Sequence, residues 1–407
     1  MTSEQIEVTY KATTPLFCGG STSDITEIRV SSIKGMLRWW WRALAWPRYE
    51  GSEADKLHAI HHDEAELFGS AVRGQSKVIL RLLPPTVTPT TLRVGDTLSL
   101  DGKAVREGAR YLGYGVMVAF DNVDKQIKAG QLTRPCLQAP LEIALELRTR
   151  DLEPRQHALL VDAVKALGLL GGLGARSRKG YGSLVLQAIS QGNSARWAAP
   201  ASVDALVTEI VRLLPSAAPS SPIPPYTALS ARTRILLVPG REGQPPLELL
   251  DLVGRELMRY RSWGHNGKVL GFDREEKFKD DHDLMKLPPE QRRAHPRRIV
   301  FGLPHNYSKK PGDQVGPGED GDRRASPLLI HLHHCGTTPV AVLSFLPARF
   351  LSKGDEATIQ VGSAKAGGRR IPIARDPALW KPIDDFLARV LDPRRKDVFG
   401  AAREVPR

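Results

Sequence analysis

The chain has 407 residues, 41% of them hydrophobic, with 58 Lys and Arg against 45 Asp and Glu for a formal charge of +13. That length suggests two domains with real cores, and the charge excess favours an acidic partner, nucleic acid first. Cys18, Cys136 and Cys335 lie far apart and form no CxxC pair, which argues against a disulfide framework or a cysteine zinc site. With no secretory leader and no 18-residue apolar run, the expectation is a cytoplasmic protein without a membrane partner.

In chain order, Ile6 to Lys11 alternates as a short strand. A loop from Thr13 to Asp24 follows, and Ile28 to Val30 reads as a second extended piece. Ser31 or Ser32 is placed to cap a helix running to about Ala45, before Pro47. Glu53 to Leu67 reads as a helix, and Val78 to Leu83 as a strand stopped by Pro84 and Pro85. Leu141 to Arg148 alternates as a strand, Pro154 opens a helix through Leu167, and Leu184 to Ile189 closes as a strand. Strand, helix, strand, strand, helix, strand is the order of a ferredoxin-like (RRM-like) α+β domain. A helix is expected within Ser202 to Leu214, and the five prolines of Pro215 to Pro225 read as a linker.

The second half repeats the order. Tyr226 to Val238, Arg298 to Leu303, Leu328 to His333 and Val340 to Leu346 read as strands, with helices at Leu247 to Trp263 and Pro377 to Val390. The expectation is tandem ferredoxin-like domains with insertions, 1–214 and 226–407. The charged insertions 268–297 and 309–324 have no assigned role, and the second is expected to be mobile.

Two stretches concentrate the chemistry. In the first helix Ile33, Leu37, Trp40 and Leu44 share one face, while Lys34, Arg38 and Arg42 stack on another. Trp39 and Trp46 flank that basic stripe. Cations beside rings suit RNA, whose phosphates pair with charge and whose unstacked bases lie on aromatics. Trp40 is expected in the core, Trp39 as a possible stacking platform, and Arg29 adds charge. The second stretch, Gly168 to Ser183, holds six glycines with Arg176, Arg178 and Lys179. Glycine lets backbone approach a ligand, so Gly174 and Gly180 join the candidate RNA-binding set. The loop has neither the Walker spacing nor GxGxxG, and it runs from helix to strand, the wrong context for a nucleotide cofactor; none is expected.

Weaker signals are read as ordinary positions. Arg292, Arg293, Arg297, Arg298, Lys309 and Lys310 form an acid-free run, read first as solvated charge and second as an RNA or subunit contact. His58, His62 and Glu66 share a helix face, and His331 and His333 a strand face. Neither set matches a metal-ligand spacing, so no metal is expected. Asp280, Asp281 and Asp283 read as a solvated loop.

Several motifs carry a family resemblance. Thr14-Pro15-Leu16-Phe17 with Gly19-Gly20, then Ile28 to Gly35 and Leu37-Arg38-Trp39-Trp40, resemble the opening of the first Cmr subunit family, in the RAMP superfamily of type III-B CRISPR effector complexes. Gly172 to Ser183 resembles the superfamily's glycine-rich loop. Phe301-Gly302-Leu303-Pro304 and Arg323 to Leu328 resemble later motifs. The resemblance implies an RNA-binding rather than cleaving subunit of an antiviral ribonucleoprotein, near the 3′ region of the guide RNA, contacting guide RNA, target RNA and other Cmr subunits. The long charged insertions depart from it. The alternative is an endoribonuclease. Guide-processing RAMP enzymes carry a histidine early in the domain, and none precedes His58 here. Asp24, five residues before Arg29, resembles the cleaving loop of backbone RAMP subunits and is the one catalytic candidate.

Overall fold

Alternation of apolar and polar residues sets the first sheet. Leu141, Ile143, Leu145 and Leu147 all turn inward from one strand, and each such buried side chain stabilises by roughly 1.5–3 kcal/mol. The computed structural model describes residues 3–406 except 21, 23, 122–125, 217–221, 265, 308–310, 319–322, 354–355, 364–366 and 374–377.

The first-half elements are β1 (Ser3–Ala12), α1 (Val30–Ala45), α2 (Glu53–Phe68), β2 (Val78–Leu82), α3 (Glu107–Leu112), β3 (Leu141–Arg150), α4 (Pro154–Leu170), β4 (Leu184–Gln191), β5 (Ser194–Ala198) and α5 (Val203–Val211). They form an antiparallel sheet in the order β2-β3-β1-β4-β5. β1 pairs with β3 along its whole length, from Ser3 opposite Arg150 to Ala12 opposite Leu141. α1 and α4 pack together over this sheet, and the Tyr10 hydroxyl donates to the Val164 carbonyl at 2.8 Å.

The second half contributes β6 (Arg234–Pro239), α6 (Pro246–Arg261), α7 (Lys279–Lys286), β7 (Leu328–Cys335), β8 (Thr338–Phe345), α8 (Lys381–Val390) and β9 (Arg403–Glu404), with sheet order β7-β8-β6-β9. A further small sheet joins His305–Asn306, Gln314–Pro317, Thr358–Val361 and Arg369–Pro372. The fold is thus a mixed α+β arrangement of small antiparallel sheets.

The buried residues form two clusters, and neither respects the halves. Leu229, Ile235, Leu237 and Val342 pack into the first cluster. Phe17, Leu112, Met117 and Tyr181 pack into the second. α3 crosses α6 backbone to backbone: a Cβ on Gly108 would lie 2.1 Å from the Asp251 carbonyl oxygen, and one on Gly254 2.2 Å from that of Gly108.

The structure corrects several local expectations. Ile28 and Arg29 lie in no strand, and Val30 begins α1. The helix is not capped by Ser31 or Ser32: Arg29 occupies the cap position with extended backbone and no side-chain cap. The strand within Tyr226 to Val238 is confined to Arg234–Pro239. Arg297–Phe301 is a 3-10 turn rather than a strand, because the Asp281 carboxylate accepts from the backbone amides of Arg297 and Arg298 at 2.8 and 3.0 Å. Asp281 is therefore a buried anchor, not a solvated loop residue, and insertion 268–297 is folded around α7. Lys309, Lys310 and Pro377, together with parts of the proline linker and of the 309–324 loop, lie outside the described residues. Among the described residues no helix is long and apolar enough to cross a membrane.

Candidate nucleic-acid interface

The glycine loop is held from both sides. Leu173 donates its amide to the Gly182 carbonyl at 2.8 Å, closing the loop on itself, and Ala175 donates to Phe17 at 2.8 Å. The Thr14 hydroxyl donates to the Gly180 carbonyl at 2.7 Å. Across the molecule Ile330 of β7 donates to the Arg178 carbonyl at 3.0 Å, and Leu332 to the Ser183 hydroxyl at 3.0 Å. A loop pinned this way presents its side chains with little entropy left to lose.

Its glycines serve that packing. Gly174 and Gly180 have φ of +86° and +88°. A Cβ would meet the Phe17 carbonyl oxygen at 2.7 Å in the first case and Leu250 Cδ1 at 2.4 Å in the second. Both contacts are with the chain itself, so the two glycines shape the loop.

The loop's cations take three different places. Arg178 lies over the Trp39 ring, 5.2 Å from guanidinium carbon to centroid, and donates to the Ser326 carbonyl at 3.4 Å. Burial holds its pKa down. Arg176 is half-buried, and its pKa is lowered by burial and then by the neighbouring Arg323 and Arg134, against an opposite effect of Tyr114. Lys179 is turned inward: the residue as a whole is partly exposed, but Nζ is buried without a hydrogen-bond partner among the described residues. Burial, then the charges of Arg261, Arg176 and Arg178, push its pKa down to about 7.

The first-helix stripe is split as well. Arg38 and Arg42 both donate to one oxygen of the buried Glu64 carboxylate, at 2.7 and 2.6 Å. Both side chains are about a third exposed, so α2 orients them without closing them off from solvent. Lys34 has its pKa lowered by partial burial and by Arg38. Arg29 donates to the Gly19 carbonyl at 2.6 Å and pairs with Glu27 at 3.6 Å. Trp40 is fully buried, as its helix position demands. Trp39 meets Trp40 edge to face at 4.8 Å and keeps partial exposure. Trp46 does not flank the basic stripe at the surface: it is buried against Tyr226, with Lys56 above it at 4.3 Å.

Trp39 and Arg42 line a groove of about 660 Å³, with Glu64, Tyr226, Arg323 and Arg324 along the rest of its wall. Arg324 donates to the Phe350 carbonyl at 2.6 Å, and burial followed by Arg178 lowers its pKa to about 10. Three distant stretches, around Trp39, Arg178 and Arg323, therefore meet on one cationic, ring-bearing surface. In the sequence Arg323 and Arg324 read as a cation pair before Ser326-Pro327, solvated charge first and an RNA or subunit contact second, and as part of a family motif; no local pattern brings them to Trp39.

The other candidates stand apart from this surface. Asp24 is exposed, with its carboxylate held by the Thr22 hydroxyl at 2.5 Å, which lowers its pKa. Arg292 and Arg298 are buried, not solvated. Arg292 binds carbonyls and Asp313, and Arg298 pairs with Asp281 at 3.3 Å. Arg293 and Arg297 are exposed. His331 and His333 are core residues that hold the loop: His331 Nδ1 lies 2.7 Å from the Gly171 carbonyl oxygen. His62, Asp63 and Glu66 approach one another, but Asp63 accepts from the Tyr49 hydroxyl and Glu66 pairs with Lys77.

This chain matches the RAMP superfamily over residues 9–185, a span that runs from the end of β1 through α1 and the whole glycine loop to the start of β4. More particularly, it is homologous to the Cmr1 subunits. It is 31% identical over 163 residues to CRISPR system Cmr subunit Cmr1-1 of Pyrococcus furiosus, a match spanning 40% of this chain and only 41% of that relative. It is 28% identical over 185 residues to Cmr1-2 of the same organism, spanning 44% and 94%. The crystal structure of Cmr1 from Pyrococcus furiosus in its apo form shares the fold, with a TM-score of 0.53 at 18% identity over 98% of both chains.

Proposed function

We propose that this protein is a non-catalytic RNA-binding subunit of a type III-B CRISPR effector complex, contacting guide RNA, target RNA or both beside other Cmr subunits. The observation that carries the reading is the meeting of Arg178 with Trp39 at 5.2 Å, where Trp39 itself lines a groove shared with Arg42, Arg323 and Arg324. Guanidiniums neutralise phosphates, and an edge-anchored indole gives an unpaired base a surface to lie on. Sequence choice is left to base pairing between guide and target. Arg38 and Arg42, oriented by Glu64, and Lys34 extend the charge along α1, while Lys179 supports the surface from beneath.

We also read the chain as two ferredoxin-like domains, 1–214 and 226–407. Support comes from strand order: numbering the core strands of each half along the chain, both sheets run second, third, first, fourth. The shared cores make the pair one working unit.

The test is fluorescence anisotropy with a labelled single-stranded RNA across a salt series. Arg176→Ala with Arg323→Ala should weaken binding and reduce the slope of log affinity against log salt by about 1.4, two phosphates' worth on a single strand. Neither side chain has a carboxylate partner among the described residues, so the fold should persist. An unchanged slope in the folded double variant overturns the reading. Incubating the same RNA with the chain and Mg²⁺ addresses cleavage: loss of cutting in Asp24→Ala would restore the nuclease alternative.

A further inference from the structure

The insertion between β2 and β3 carries an exposed ring that the sequence pattern does not single out. Tyr114 is 66% exposed, directly after α3, in a tight loop where Val116 donates to the Gly113 carbonyl at 3.0 Å. The loop is braced by Thr133, whose amide donates to the Val116 carbonyl at 3.0 Å, which brings Arg134 alongside. It is also met by the glycine loop: Arg176 Nη2 lies 3.0 Å from where a Cβ of Gly115 would stand. Arg323, which lines the Trp39 groove, is near enough to Arg176 for its charge to lower that group's pKa. Arg134, Arg176 and Arg323 have no carboxylate partner among the described residues, whereas Arg178 and Arg324 are bound to carbonyls.

An exposed tyrosine beside a group of three guanidiniums that come from separate parts of the chain and have no carboxylate partner among the described residues suits one kind of occupant. A protein partner would need carboxylates in matching positions around an apolar contact. A single strand of RNA brings both components at once, a flat base for the ring and phosphates on either side of it. Continuity decides the matter: Arg323 belongs to this cluster and to the groove that holds Trp39. We propose that Tyr114 is a second base-stacking platform, seating an unpaired nucleobase whose flanking phosphates lie on Arg134, Arg176 and Arg323, so that one strand runs from the Trp39 groove across the glycine loop to the insertion. This rests on the RNA-binding reading above and extends it to a segment that reading does not use.

The experiment compares the full chain with Tyr114→Ala and Tyr114→Phe, using a labelled oligouridylate and a blunt RNA duplex of equal length. Tyr114→Ala should weaken single-strand binding about tenfold, the usual worth of one stacked base. Duplex binding and the salt slope should stay unchanged, because no charge is lost. Tyr114→Phe should keep affinity within about twofold. Wild-type affinity in Tyr114→Ala, while Arg176→Ala with Arg323→Ala still loses binding, overturns this inference and leaves the RNA-binding reading standing; Tyr114 would then serve a protein neighbour. Equal losses on single strand and duplex also overturn it, assigning the ring to loop shape. Failure of the wild-type chain to bind either RNA removes the underlying reading itself.

Discussion

Lys179 carries its charge into the protein. Its Nζ is buried without a partner among the described residues and faces Arg261, Arg176 and Arg178, which with burial bring its pKa down to about 7. In the unfolded chain a lysine titrates near ~10.4. Between those values the unfolded chain binds a proton that the folded chain has released. Stability from this group is therefore full above the unfolded pKa and is lost as pH falls toward 7. Lys179→Met should raise the Tm above wild type at pH 7, and the gap should close by pH 10 in thermal melts followed by circular dichroism. A wild-type Tm and pH profile in the variant would show that the ammonium is solvated. The sequence made Lys179 look equivalent to Arg176 and Arg178, since all three sit in one glycine-rich run. Burial separates them, because only the fold determines which way each side chain leaves a loop.

At the scale of the element, the glycine loop is where sequence and structure agree in place and differ in reason. The run of glycines was legible as a special backbone. Its purpose at Gly180 is contact with α6: φ is +88°, and a Cβ would press on Leu250. Gly180→Ala should destabilise the protein by about 2 kcal/mol or more, from left-handed strain and overpacking together, measured by urea unfolding. RNA affinity of the remaining folded fraction should change little, since the loop's arginines are untouched. Wild-type stability would indicate that the loop yields easily. In α1 the period of 3.6 correctly separated Trp40 from the basic stripe. It gave no sign that Glu64 of α2 would bind Arg38 and Arg42 together, because that partner lies on another helix.

Across the whole molecule the halves share their cores. α3, part of the first half's insertion, crosses α6 at Gly108 and Gly254 and feeds Leu112 and Met117 into the second cluster. One cooperative unfolding transition is expected in denaturant, with coincident fluorescence and circular-dichroism curves. Gly254→Val should break that crossing, lowering the midpoint and separating the two curves; coincident curves at the wild-type midpoint would mean the halves fold without it. The proline-rich linker was legible as a boundary in the chain, but a boundary in sequence need not be one in packing.

The sequence by itself determined β1 to β4, β7, β8 and the place of β6, the buried face of α1, the basic excess and the family resemblance, because periodicity, turn chemistry and charge are written locally; the edge strands β5 and β9 carried no such signal. The tertiary structure alone decided which cations face solvent, which are spent on Glu64 and Asp281, and which rings stand beside them. Those outcomes depend on contacts between residues far apart in the chain, such as Trp39 with Arg178 and Glu64 with Arg38 and Arg42, and no local pattern encodes a contact whose second partner arrives only on folding.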